Sequence, residues 1–115
     1  MRAMTLLHNP RCSKSRQALA LLEAAGVAVE VRLYLKAPLD REALDGLRQK
    51  LGMPVIDWTR SKEAAFSASG LTQESSDEAL LDAMVAHPIL MERPIIVDGA
   101  RALVARPPER VHDLL

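Results

Sequence analysis

Residues 4–34, MTLLHNPRCSKSRQALALLEAAGVAVEVRLY, decide the fold. The run Met4 to Leu7 is short, apolar and stopped by Asn9-Pro10, which predicts a buried strand. From Ser15 the spacing becomes helical: Leu19, Leu22 and nearby alanines share one face, and Gly26 suits the position just past a helix end. Val27 to Tyr34 then alternates, with Val29, Val31 and Leu33 separated by Glu30 and Arg32, as a second strand does. Strand, helix and strand within about thirty residues make a βαβ unit with a right-handed crossover.

Working outward, Pro38 closes that region. Asp40 is placed to cap a helix running to about Leu51, with Leu44, Leu47 and Leu51 on one side and Gly52 as its stop. Pro54 to Arg60 reads as a short helical turn, and residues 61–74 are less regular. Ser75-Ser-Asp-Glu78 fits a capping box that opens a helix carrying Leu80, Leu81 and Met84. His87-Pro88 ends that helix, and Pro88 begins a further turn through Met91. Pro94 to Val97 is a strand, Asp98-Gly99 a hairpin turn signal, and Arg101 to Val104 the return strand. Pro107-Pro108 leads into a terminal helix holding Val111, Leu114 and Leu115. The expected class is α/β: one domain over 1–115, a mixed sheet in the order βαβ then ββα. That is compatible with a thioredoxin-like fold carrying a helical insertion at about residues 37–92.

Composition narrows the function. Fifteen basic and fifteen acidic residues give no net charge, so no broad basic field exists for nucleic acid, and any anion site must be local. Apolar residues make up 49% and charged residues 26%, ordinary for a globular chain. The apolar start, Met1 to Leu7, is too short for a signal-peptide core, and no stretch approaches the roughly 20 apolar residues of a membrane span. The expectation is a cytoplasmic monomer without membrane or nucleic-acid partners.

Cys12 is the only cysteine, so no internal disulfide can form. It falls between the first strand and the first helix, where ligands of open α/β sheets collect. The N–H groups and positive dipole end of the helix favour a thiolate there, and thiols so placed fall from about 8.5 to roughly 3.5–7.5. A cysteine is often merely a small buried hydrophobe. The polar surround of His8-Asn9-Pro10-Arg11 and Ser13-Lys14-Ser15-Arg16 argues for the reactive reading instead. Ser15 stands three residues on, where dithiol redox proteins have a second cysteine; its hydroxyl can bond the thiolate but cannot resolve a disulfide. His8 is either a polar strand end or, as a cation, a stabiliser of the thiolate. His87 and His112 are assigned no role. One cysteine and three scattered histidines lack zinc spacing, so neither a metal nor a bound cofactor is expected.

The segment His8-Asn9-Pro10-Arg11-Cys12-Ser13-Lys14-Ser15-Arg16 resembles the active-site signature of the glutaredoxin-coupled arsenate reductase family. The resemblance continues in order through Leu33-Tyr34-Leu35, Trp58-Thr59-Arg60-Ser61-Lys62-Glu63, His87-Pro88-Ile89-Leu90, Glu92-Arg93-Pro94-Ile95 and Arg106-Pro107. It implies catalysis by Cys12 with His8 and Arg60, and an arsenate oxyanion held by Arg60, Arg93 and Arg106 with Ser15. Asn9, Pro10 and Pro94 shape the site, with a cis Arg93–Pro94 bond. It further implies glutathione as co-substrate and glutaredoxin as partner. The chemistry agrees: arginine offers a planar fork for tetrahedral oxyanions, and one cysteine needs an outside thiol to complete a two-electron reduction. Lys62 and Glu63 read as a solvated helix face, with Glu63 also placed to orient an arginine by a salt bridge.

Two other readings share these features. One is a glutathione-linked thiol oxidoreductase acting on a different substrate. The other is a non-catalytic redox regulator that binds RNA polymerase; such regulators commonly carry Cys-x-x-Cys, which Ser15 removes, and they leave Arg60, Arg93 and Arg106 unexplained.

Overall fold

Strand β1 (Ala3–Leu7) runs between two neighbours, parallel to β2 (Ala28–Arg32) and antiparallel to β3 (Ile95–Asp98). Strand β4 (Arg101–Val104) completes a mixed sheet ordered β2-β1-β3-β4. With helix α1 (Ser13–Ala24) between β1 and β2, this is the α/β thioredoxin-like arrangement. A computed structural model gives these details for residues 3–115; Met1 and Arg2, which open the apolar run read above as too short for a signal core, lie outside the described residues. The chain forms two compact units. One takes in the chain up to Ala37 together with Arg93–Leu115, and the other is Pro38–Glu92.

In the first unit, Met4 and Leu6 of β1 point to one sheet face and meet Ala18 and Leu22 of α1, Ile96 of β3 and Leu103 of β4. Val111 and Leu114 close the same cluster from a 3-10 segment, Pro108–Leu114, where the sequence suggested an α-helix. Leu115, expected in that packing, is half exposed. β2 is an edge strand, so of its two valines Val29 packs against the core and Val31 is left exposed. The β3–β4 loop holds Gly99 and Ala100 between the paired Asp98 and Arg101, with Gly99 at φ 61°, a region that favours glycine. The turn thus begins one residue later than Asp98.

In the second unit, α2 (Arg41–Leu51) is capped by Asp40, whose side chain accepts from Ala43 N–H at 2.8 Å, and stops at Gly52 in the left-handed region. A 3-10 turn spans Val55–Trp58, and the stretch read as irregular contains a short helix, α3 (Ala64–Ala68). Helix α4 (Asp77–Ala86) is capped by Ser76, which accepts from Ala79 N–H, and not by Ser75. Ser75 turns back to accept from Thr72 N–H instead, so the capping box was placed one residue early. α4 lies against α2 and both 3-10 turns, the second being Pro88–Leu90. Arg41 of α2 also pairs with Glu78 and Asp82 of α4.

Leu22 ties α1 to the sheet from the centre of the first unit's cluster and is fully buried. Leu22→Ala is expected to destabilise by roughly 2–5 kcal/mol through lost transfer energy and a residual cavity. Gln17→Ala on the exposed side of α1 should stay within about 0.5 kcal/mol. Denaturant midpoints measure both.

Candidate active site

The register of the sheet assembles the site. Leu7, the last residue of β1, pairs with Arg32 on one side and with Ile95 on the other, and Ile95 pairs with Val104. The segment after β1, the residues before β3 and those after β4 therefore leave the sheet at one end. These are the segments that carry Cys12, Arg93 and Arg106. His8 N–H donates to Arg32 O at 2.9 Å and extends the β1–β2 pairing to the start of the loop.

The loop is fixed by its own side chains. Asn9 Oδ1 accepts from Arg11 N–H at 3.0 Å, and Asn9 O accepts from Cys12 N–H at 3.0 Å. Ser15 Oγ, wholly buried, accepts from Asn9 N–H at 3.1 Å and lies 2.6 Å from His8 Nδ1. With one hydrogen bond already accepted, the Ser15 hydroxyl can donate its proton to His8 Nδ1, which suits a neutral imidazole. Pro10 is exposed, and its carbonyl accepts from Arg16 Nη1 at 2.8 Å.

Cys12 occupies the N-cap position of α1 and is partly exposed. The first turn of α1 holds no acidic residue, so the positive end of the helix dipole is left to the sulfur. Burial pushes the thiol pKa up, but the Ser15 amide, the Arg93 side chain, the Lys14 amide and the Arg93 charge together bring it below its ordinary value. The sulfur makes no side-chain cap bond of ordinary geometry; it faces these donors as an anion faces dipoles. A folded-state value below the unfolded one means the thiolate favours the fold above the unfolded pKa, and this contribution is lost as pH falls through the folded pKa.

Arg93 precedes Pro94 through a cis bond, as the family resemblance implied, and Arg106–Pro107 is cis as well. Pro94 is buried, and its carbonyl accepts from Ala105 N–H at 2.9 Å. Arg106 Nη1 donates to Arg93 O at 3.1 Å, which binds the two arginine segments together. The Arg93 pKa is held up, against the opposing effect of burial, by Cys12 and by the Tyr34 phenol oxygen. Tyr34 is fully buried. Its only mark in the sequence was the Leu33-Tyr34-Leu35 motif, to which no role was given.

Two expectations change. Burial and then the Arg16 charge lower the His8 pKa, which favours the neutral imidazole over the cation expected beside the thiolate. The Ser15 backbone amide helps lower the thiol pKa, while its hydroxyl is engaged by His8 and Asn9. Arg60 belongs to the second unit. There its Nε and Nη2 meet Glu63 Oε1 at 3.1 and 3.0 Å, and its Nη1 meets Glu92 Oε1 at 3.3 Å. Glu63 thus orients an arginine, and Glu92 joins it; Lys62 is exposed. Among the described residues, no group of three or more His, Cys, Asp or Glu side chains is arranged to hold a metal. Among them, too, no helix is long and apolar enough to cross a membrane.

These electrostatics predict that Arg93→Ala raises the Cys12 pKa more than His8→Asn does, read from thiolate absorbance against pH. The reverse order would restore His8 as the cation. The same architecture occurs in other sequences and structures. The profile of the ArsC family matches residues 7–114. An arsenate reductase of Neisseria meningitidis is 42% identical, with all of both chains covered. YfgD of Escherichia coli K12, an uncharacterised protein, is 46% identical over 96% of this chain and 94% of its own. The structure of an arsenate reductase from Vibrio cholerae superposes with a TM-score of 0.94 at 43% identity, covering 99% of this chain and 98% of that one. A match that runs from the end of β1 to the last turn, with relatives above 40% identity over essentially whole chains, places the protein in the ArsC family.

Proposed function

We propose that the protein is an arsenate reductase whose nucleophile is the Cys12 thiolate. The observation that carries this reading is Cys12 at the N-cap of α1, its thiol pKa lowered by the first amides of that helix and by Arg93. The names of the relatives from Neisseria meningitidis and Vibrio cholerae supply the substrate. Arsenate is a tetrahedral anion, and Arg93 and Arg106 bring two guanidinium groups to the sheet end where the sulfur lies.

The chemistry follows from one thiol and one external reductant. The Cys12 thiolate attacks arsenic, an S–As bond forms, and one arsenate oxygen leaves as water with protons from solvent. Glutathione thiolate then attacks the Cys12 sulfur. The bonding pair of S–As stays on arsenic, which leaves as As(III) arsenite, and Cys12 remains as a mixed disulfide with glutathione. Glutaredoxin takes over that disulfide and returns the Cys12 thiolate. Two thiols lose two electrons and arsenic gains two. Ser15 cannot serve as the resolving group, being a hydroxyl locked to His8. The guanidinium of Arg93 lowers the energy of the thiolate and of the charge that gathers on the oxyanion as sulfur attacks. A thiol-dependent cycle of this kind suits the reducing cytoplasm, and one chain carries all the residues named here, as a monomer.

NADPH oxidation coupled through glutathione reductase and glutaredoxin tests the reading. The wild type should show arsenate-dependent turnover that requires both glutathione and glutaredoxin, and Cys12→Ser should show none. Arg93→Ala should lower kcat roughly 100-fold, the usual scale for removing one donor to a developing oxyanion. A wild type without arsenate-dependent turnover overturns the substrate, and turnover retained in Cys12→Ser overturns the nucleophile.

A further inference from the structure

β2 is an outer strand of the sheet, with β1 on one side and, among the described residues, no strand on the other. A row of backbone N–H and C=O groups faces outward along such an edge. One bond shows which residues own that row. Arg32 O accepts from His8 N–H at 2.9 Å, so the polar backbone groups of Arg32 face β1. These groups alternate sides along a strand. Those of Glu30 therefore also face β1, and those of Val29 and Val31 face out. Side chains alternate between the two sheet faces as well. Val31 pairs in register with Leu6, a core residue, yet is itself 42% exposed. Glu30 and Arg32 share the opposite face, and Glu30 is exposed.

A charge on an edge strand commonly guards it against pairing with a copy of itself. Two opposite charges, two residues apart, can instead match a copy. Take two β2 strands antiparallel and centred on Val31. Val31 then meets Val31, Val29 meets Leu33, and Glu30 meets Arg32 once from each copy. The Val31 pair exchanges two backbone bonds. The Glu30–Arg32 pairs fall at the non-hydrogen-bonded positions beside it, where facing side chains are closest. Centring on Glu30 or on Arg32 sets like charges face to face. Centring on Val29 puts Glu30 opposite Ala28 and Arg32 opposite Gly26, so neither charge is matched. Arg32 Nε donates to Ala37 O at 2.9 Å, and a guanidinium has further N–H donors for a carboxylate of the second copy.

We propose that β2 is a self-association edge, to which a second copy of this chain adds antiparallel about Val31, joining the two sheets into one. One short strand from each copy is a small junction beside the roughly 800 Å² per partner of a stable complex. The pairing is therefore weak and sets in with concentration, and the dilute chain is the monomer of the cycle above. Each copy keeps its own Cys12.

Sedimentation equilibrium between roughly 10 μM and 1 mM, with amide exchange read by NMR, tests the edge. The wild type should pass from monomer to dimer with a Kd on the order of 100 μM. The Val31 and Leu33 amides should gain protection as concentration rises, while those of Glu30 and Arg32 stay protected throughout. Glu30→Arg sets an arginine against Arg32 and should weaken the dimer about tenfold or more. Glu30→Arg combined with Arg32→Glu exchanges the charges and should restore it. A wild type still monomeric at about 1 mM overturns the proposal. So does a dimer whose Val31 amide exchanges as fast as in the monomer, a dimer that Glu30→Arg leaves unchanged, or a folded double variant as weak as Glu30→Arg. Should the double variant not fold, the wild-type amides and Glu30→Arg decide. Arsenate turnover enters none of these readouts, so failure of the edge and failure of the arsenate reading are told apart.

Discussion

A sulfur anion at Cys12 depends on two distant pieces of chain staying side by side. One is the first turn of α1, whose amides face the sulfur; the other is the residue before β3, whose guanidinium does. Together they outweigh burial, which by itself raises the thiol. What keeps them together is the pairing of Leu7 with Ile95 in the centre of the sheet. The cluster of Met4, Leu6, Leu22 and Ile96 beneath it is therefore part of the site's electrostatics as well as of its stability. A shift of one residue in the β1–β3 register would turn Leu6 away from the core and carry Arg93 away from the sulfur in the same step.

The loop from His8 to Ser15 shows how polar groups can be buried at a reactive centre without competing with it. The His8 ring, the Ser15 hydroxyl and the Asn9 amide satisfy one another. Their hydrogen bonds close the loop around the helix start and leave the amides of Lys14 and Ser15 for the sulfur. A protonated His8 would have to donate to Ser15 Oγ instead of accepting from it, and its charge would face that of Arg16. Neutral His8 and cationic Arg93 thus divide two tasks, structure and charge, that the sequence reading had assigned partly to one residue.

How much of this was legible follows from range. The βαβ unit was legible because periodicity is local: Met4 to Leu7, Leu19 and Leu22, then Val29 and Val31 each signal their element within a few residues. So was the hairpin, where Gly99 adopts the backbone that only a few residues tolerate. α3 was missed because five residues contain too little repeat to register, and Ser76 was missed because two adjacent serines offer the same cap. Exposure of Val31 depends on β2 having no outer neighbour, which no local pattern encodes. The roles proposed for Cys12, Arg93 and Arg106 rest on ordered motifs, which are read across the whole chain and not from one local pattern. The state of His8 and the burial of Tyr34 needed coordinates, because each is set by residues that meet only in the fold.

The lone thiol also constrains what must come next in the chemistry. In a dithiol protein, position 15 would offer a sulfur within the same helical turn to release the product. Here that position is a hydroxyl with no exposed surface, bonded to His8 and Asn9. Oxidised Cys12 therefore has to be approached from outside, and it is partly exposed at the surface of the loop. The exposed neighbours Arg11 and Lys14 give that approach a positive rim in a chain whose total charge is zero. An anionic thiol is drawn to such a rim more than a neutral one. The same Arg93 that favours the Cys12 thiolate also makes it a good leaving group, since a lower pKa speeds departure in thiol–disulfide exchange. In the proposed cycle one guanidinium thus serves both the attack on the oxyanion and the release of the sulfur afterwards.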